Sequence, residues 1–409
     1  MPGEVGQRSA LAGDRTRQGE VAIEPADRPP QLAAEHQARW WVPVALFLGI
    51  TAVLWLVAGL SLSHLPYTGT DVHRHPIPGA GWLEGWVHFD GFWYADIARR
   101  GYWSFIPTEQ GPFAFFPTYP LLMRAGRMVT GNVFVAGILI TVAAGAVAAG
   151  MFFVWLRERV SPAAAWTALL LFLLYPFAYY LYGAVYADAV FIACVLGSFV
   201  LLERDHPVLA GLVGAGATAA RPVGAVLLVA LVIRVVERRG GWRKVPWRDA
   251  GVLLAGLGIG AFCFYSWRRY GAPLAFVDAQ NGWNQDPGLR TWLKVQFWHD
   301  VQDLRSPLAW LVFVSHPILT LAGLALVPLV VRRFGWGYGA YAFLVLALSA
   351  VSVKNFFGMS RYVLSAFPCF AAAGVLLAER VRLRTAVLVS SGGVLLLATS
   401  FFSRGHYLS

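Results

Sequence analysis

Of the 409 residues 57% are hydrophobic and only 13% charged, and the mean hydropathy is +0.57, which excludes a soluble globular protein. The net charge of +11 sits largely in short gaps between apolar runs, where Lys and Arg orient spans and meet anionic membrane lipid, so nucleic acid is not an expected partner. Cys194, Cys263 and Cys369 each lie inside an apolar run, too scattered for a metal pair or a disulfide framework.

Residues 1–38 are rich in Gly, Pro, Ala, Glu and Arg and lack Trp, Tyr and Phe, so a disordered cytoplasmic tail is expected there. The first apolar run begins only near Trp40, which is not the layout of a cleavable signal peptide. Residues 39–409 are expected to form one transmembrane domain.

Apolar runs at roughly 41–62, 132–156, 163–182, 189–202, 208–220, 222–236, 250–267, 308–331, 338–353, 362–378 and 385–402 give an expectation of about eleven spans. With the N-terminus in the cytoplasm, Arg157, Arg159, Arg204, Arg238, Arg239, Arg243, Lys244, Arg248, Arg332, Arg333, Arg380, Arg382 and Arg384 all fall inside. Three segments are then extracytoplasmic, at about 63–131, 268–307 and 354–361. The weak point is Arg221-Pro222, which interrupts what also reads as one kinked segment; a single span there would reverse everything downstream.

The first outer loop holds the densest chemistry. Gly81 to Tyr102 reads GWLEGWVHFDGFWYADIARRGY, and on one continuous helix Trp82, Trp86, Phe89, Trp93 and Ile97 form a stripe, with Glu84, His88, Ala95 and Arg99 opposite. Such a helix is expected to lie in the membrane plane at headgroup level. Asp90 falls near the aromatic side, where a charge is costly unless it is used.

The local alternative is that Asp90 caps a short helix stopped by Gly101, with Arg99 and Arg100 in its last turn. Asp96 can pair with Arg99 or Arg100 at helical spacing, and His88 sits on the polar face. Both stay open as functional candidates.

The string HFDGFWYADIARRGY resembles the signature of the PIG-V-like mannosyltransferases, relatives of GPI mannosyltransferase 2 in the GT-C class of membrane glycosyltransferases. FFPTYPLLMR from Phe115, Arg221-Pro222-Val223-Gly224, and SRYVLSAFP from Ser360 are similar to further family elements, in order. The resemblance implies an all-α GT-C-like bundle, a polyprenyl-phosphate sugar donor, most often of mannose, and Asp90 as catalytic base. Phe89 departs from the Trp common before that acid.

Transfer of a sugar from a lipid phosphate to a hydroxyl needs a base for the acceptor proton and positive charge for the departing phosphate. One carboxylate suffices, and direct displacement inverts the anomeric centre. Arg221, Arg361 and Lys354 are the candidates for the phosphate, the arginines preferred for their planar fork; snorkelling is the alternative for the two arginines. Asp188, at an outer span end, is either functional or, equally, a helix cap or a structural partner of an Arg.

Trp93, Tyr94 and Trp283 join His88, Asp96 and Asp188 as candidates for substrate contact. In the second outer loop Trp283, Trp292, Phe297 and Trp298, with Asn281, Asn284, Asp286, His299 and Asp300, either bind an acceptor or pack over the cavity. His64, His73, His75, His88 and Asp71 match no compact ligand spacing, so neither a metal nor another cofactor is expected. A lipid, glycan or protein acceptor is expected as the second substrate. A lipid or polysaccharide transporter, or a silent assembly factor on the same fold, are the competing readings.

Overall fold

The structure, a computed structural model, describes residues 41–71, 75–107, 109–283, 285 and 288–408. The expected tail at 1–38, together with His73, Asn284 and Asp286, lies outside the described residues.

Among the described residues the regular structure is helical throughout. In order it forms α1 (Trp41–His64), a 3-10 turn (Gly81–Trp86), α2 (Asp90–Arg100), α3 (Thr118–Thr130), α4 (Val133–Arg157) and α5 (Pro162–Leu173). Next come α6 (Asp188–Glu203), α7 (Pro207–Thr218), α8 (Ala225–Arg239), and α9 (Gly256–Tyr270), which continues a 3-10 segment at Trp247–Ala255. The remainder is α10 (Val295–Asp303), α11 (Pro307–Phe334), α12 (Trp336–Ser352), α13 (Met359–Ser365), α14 (Phe367–Leu377) and α15 (Val381–Ser403).

Helix starts follow local chemistry. The Asn132 side chain accepts from the N–H groups of Phe134 and Val135 and so opens α4. Ser161 before Pro162 and Ser306 before Pro307 open α5 and α11 in the same way, each with proline at the first position, where no N–H is needed.

Among the described residues five stretches are long and apolar enough to cross a membrane: Trp41–His64, Val133–Arg157, Trp247–Tyr270, Ala309–Phe334 and Val381–Ser403. They become six if α13 and α14, bent by 74° at Ala366, count as one broken span. The chain is therefore a multi-pass membrane protein. The other runs counted toward eleven are helices of 12 to 17 residues, shorter than a full crossing of about 20.

Two boundaries differ from expectation for physical reasons. The run at 163–182 is α-helical only to Leu173; the tyrosine-rich stretch beyond it is buried and holds one 3-10 turn at Ala178–Leu181, with no helix joining it to α6. Its polar backbone is met by other elements: Trp55 Nε1 donates to the Tyr182 carbonyl (2.6 Å), Thr141 Oγ1 to that of Ala184 (3.1 Å), and the Val185 N–H to that of Trp86 (3.0 Å). Non-helical backbone at membrane depth is tolerated where protein satisfies it. The doubtful pair at 208–236 is two helices, α7 and α8, broken at Arg221, whose backbone is extended.

Charges separate to the two ends of α6. At its C-terminus Glu203 meets Arg159 (3.2 Å) and Arg234 (2.7 Å), and Glu237 receives the Trp336 N–H (2.8 Å), so the ends of α4, α6, α8 and the α11–α12 turn share one end of the bundle. Asp188 begins the same helix, about 22 Å away at 1.5 Å per residue. The two clusters stand at opposite ends of one helix.

Candidate functional site

The first outer loop does not form the single amphipathic helix of the expectation. Its 3-10 turn ends at Trp86 and α2 starts at Asp90, because Phe89 takes φ 49° and ψ −112° and turns the chain. A positive φ in a bulky residue costs about 1–3 kcal/mol unless its surroundings hold it. Here the Phe89 N–H donates to Asp71 Oδ2 (3.2 Å), and its ring meets Tyr407 edge-on at 4.8 Å.

The break dissolves the Trp stripe: Trp86 is fully buried while Trp82 is 52% exposed. Glu84 and His88, expected on a solvated face, are both buried. Glu84 accepts from His75 Nδ1 (3.0 Å), and His88 bridges Asp71 Oδ2 (3.0 Å) and the Ser403 carbonyl (3.1 Å).

Asp90 does not cap its helix; Phe89 holds the cap position and no side chain bonds there. The Asp90 carboxylate instead accepts from Arg361 Nη1 at 3.1 Å, with both side chains mostly buried, 18% and 13% exposed. Burial raises the Asp90 carboxyl above its usual value, while Arg361 pulls it back down. The Asp90 N–H donates to the Tyr186 hydroxyl (3.4 Å), and the Arg361 guanidinium lies over Tyr186 and Tyr180, 5.2 and 5.3 Å from their ring centres. Arg361 Nε is buried and has no hydrogen-bond partner among the described residues.

Arg221 and Asp188 form a second, deeper ion pair, buried on both sides. Arg221 also lies over the Tyr362 ring at 4.5 Å, so consecutive residues Arg361 and Tyr362 tie the two pairs together. Four charges drawn from α2, α6, the α7–α8 break and α13 thus share one region.

The short motifs build this arrangement. Arg124 of FFPTYPLLMR donates to the carbonyls of Ala98 (2.6 Å) and Ile97 (3.3 Å), closing the C-terminal end of α2. Thr118 of the same motif docks α3 beside the Arg221 break, its N–H on the Ala219 carbonyl (2.9 Å) and its hydroxyl on that of Gly216 (3.0 Å). In SRYVLSAFP, Ser360 Oγ pairs with His316 Nδ1 (2.9 Å), and the bend before Pro368 turns Arg361 inward.

The other candidates spread out. Tyr94 is buried one turn after Asp90 against Phe115 and Tyr119, while Trp93 stacks on Phe115 at 5.7 Å and meets Trp283 edge-on at 5.8 Å. Asp96 is 40% exposed and pairs with Arg100 (3.2 Å) and Arg99 (3.7 Å), away from the pairs at Asp90 and Asp188. Lys354 stands in the loop before α13, its N–H on Gln285 (3.1 Å), and makes no ion pair among the described residues. Among those residues no three of His, Cys, Asp and Glu are grouped as a metal site.

A cavity of about 1060 Å³ opens between α11 and α15, lined mainly by apolar side chains such as Trp310, Leu311, Phe313, Val394 and Leu397. Asn355, Phe357 and Tyr407 line it as well. Tyr180, Tyr186 and Tyr407 were not among the sequence candidates. The tyrosine-dense run YPFAYYLYGAVYAD ahead of α6 was a visible signal for the first two; Tyr407 had none.

No protein-family model matches the chain, and no curated protein sequence does. Solved structures do. ArnT from Cupriavidus metallidurans in the apo state superposes with a TM-score of 0.50 at 15% identity, over 88% of this chain and 75% of that one. The same protein bound to undecaprenyl phosphate gives 0.49 at 15% identity, over 88% and 76%. The Archaeoglobus fulgidus oligosaccharyltransferase with Zn and sulfate gives 0.46 at 13% identity, over 88% of this chain but 53% of its own. At such identities the likeness concerns fold alone: among its described residues the chain is a helical, multi-pass membrane protein with a GT-C-like fold.

Proposed function

We propose that this chain is a glycosyltransferase that moves a sugar, mannose in the first instance, from a polyprenyl phosphate to an acceptor hydroxyl on the extracytoplasmic face. The observation that carries the proposal is the mostly buried Asp90–Arg361 pair, an acid and a guanidinium brought together from α2 and α13 beside Tyr407, which itself lines an apolar cavity. ArnT, of similar fold, was crystallised with undecaprenyl phosphate, a ligand of the same chemistry. The face is read from the basic residues Arg159, Arg234 and Arg238, which gather at Glu203, at the end of α6 opposite Asp188.

In this reading Asp90 takes the acceptor proton as the acceptor oxygen bonds to the anomeric carbon. The carbon–oxygen bond to the phosphate breaks, and polyprenyl phosphate departs as an anion with both electrons of that bond. Arg361, through the donors that Asp90 leaves free, and Arg221 behind it hold the departing charge; Lys354 supplies a further cation at the rim. A single displacement inverts the sugar. Trp93, one helical turn after Asp90, and Trp283, edge-on to Trp93, are the aromatic surfaces for an acceptor sugar in this reading.

The test is transfer by the full chain in proteoliposomes, with labelled polyprenyl-phosphate mannose and a lipid extract as acceptor source. Label should enter a new covalent product, and Asp90→Asn should lower the rate at least about a hundredfold. Full activity in Asp90→Asn, or label crossing the bilayer with no new bond, would sink the reading.

A further inference from the structure

We infer that Tyr407 orients the donor phosphate, its hydroxyl donating a hydrogen bond to a phosphate oxygen of a polyprenyl phosphate held between the cavity and the Asp90–Arg361 pair. The inference rests on the donor class proposed above and adds a residue that neither motif nor periodicity marked.

After α15 the chain turns back at Gly405, φ 80°, and lies along the start of the first loop. The Gly69 N–H donates to the Arg404 carbonyl (3.1 Å), the Asp71 N–H to that of Gly405 (3.2 Å), and Thr68 Oγ1 pairs with His406 Nε2 (2.9 Å). A Cβ on Gly405 would fall 2.1 Å from the Tyr67 hydroxyl, so this return needs glycine. The strap fixes where the next side chain goes.

That side chain is Tyr407. Its ring packs between Phe89 (4.8 Å) and Phe357 (5.2 Å), the first adjacent to Asp90 and the second four residues before Arg361. Tyr407 also lines the apolar cavity and is near enough to Arg361 and Asp90 for their charges to act on its phenol. Burial keeps that phenol protonated.

Ring packing accounts for an aromatic residue here but not for its oxygen. The Tyr407 hydroxyl makes no hydrogen bond among the described residues, whereas Tyr102, Tyr182 and Tyr341 each donate to a carbonyl. A protonated donor without an acceptor, near a guanidinium and lining a cavity of about 1060 Å³, suits an anion with a long apolar tail.

The experiment follows quenching of tryptophan fluorescence in the full chain, in detergent, on adding undecaprenyl phosphate or, as the phosphate-free control, undecaprenol. The phosphate should bind more tightly than the alcohol. Tyr407→Phe should weaken the phosphate about tenfold, leave the alcohol and the melting temperature unchanged, and raise donor KM more than it lowers kcat.

If the native chain prefers the phosphate and Tyr407→Phe binds it equally well, the assignment of Tyr407 falls alone. A variant that loses phosphate and alcohol together marks Tyr407 as a structural plug and overturns the assignment too. If the native chain does not distinguish the two lipids, the donor reading falls and takes this inference with it.

Discussion

Arg361 donates to Asp90 across 271 residues of sequence, at 3.1 Å, from a helix whose bend aims it at the first loop. The pair joins the two most informative stretches of the chain and defines where substrate chemistry is to be tested. It also makes a specific demand on the cation.

Arg361→Lys keeps the charge but loses the planar fork that can serve Asp90 and a phosphate at once. Transfer should fall at least about tenfold, while Arg361→Ala, which strips Asp90 of its partner, should also lower the melting temperature. Equal rates for native and Lys forms in the proteoliposome assay would argue against a forked contact to phosphate.

Acidity should act through Asp90. Because burial raises its folded value, the acid limb of kcat/KM should lie above the ordinary carboxylate range, with activity lost as pH falls through the raised value. Stability carries the opposite sign: the folded state holds this proton more tightly than the unfolded chain, so stability declines as pH rises from the ordinary value through the raised one. Melting temperatures of native and Asp90→Asn proteins across pH check this, the variant lacking that decline.

The buried Arg221–Asp188 pair should respond differently to single and double changes. Asp188→Ala leaves a buried guanidinium unpaired and should cost about 3–5 kcal/mol, seen as lost folded protein in size-exclusion profiles. Asp188→Leu with Arg221→Met should regain much of the folded yield. Transfer activity in that double variant would remove Arg221 from the phosphate site.

Gly91 sits where α2 approaches the buried stretch before α6; a Cβ there meets Val185 Cβ at 3.2 Å and its carbonyl at 3.3 Å. Gly91→Val should cost about 1–3 kcal/mol through overpacking and move the adjacent Asp90 off Arg361. A variant with native melting temperature and native rate would show that α2 has room to shift.

Much of the architecture was legible in the chain. The long helices α1, α4, α11 and α15 follow apolar runs closely, because membrane helices are dictated by local composition; α2, α3 and α10 lie outside those runs. Asp90 stands out by an aromatic setting in which a charge is costly, and Arg221 and Arg361 as forked cations for a phosphate within the motifs that carry the resemblance. What failed were inferences that assumed continuity: one helix over 81–102, and a span running through 163–182.

The sequence by itself determined a multi-pass helical protein and the short list of charges inside it, since hydropathy and charge cost are properties of the residue and its neighbours. Only the tertiary structure decided that Asp90 meets Arg361 and Asp188 meets Arg221, that Phe89 breaks the first loop, and that Tyr407 returns to the site. These depend on packing between elements remote in sequence, and on a backbone turn held by Asp71, for which no local period carries a signal.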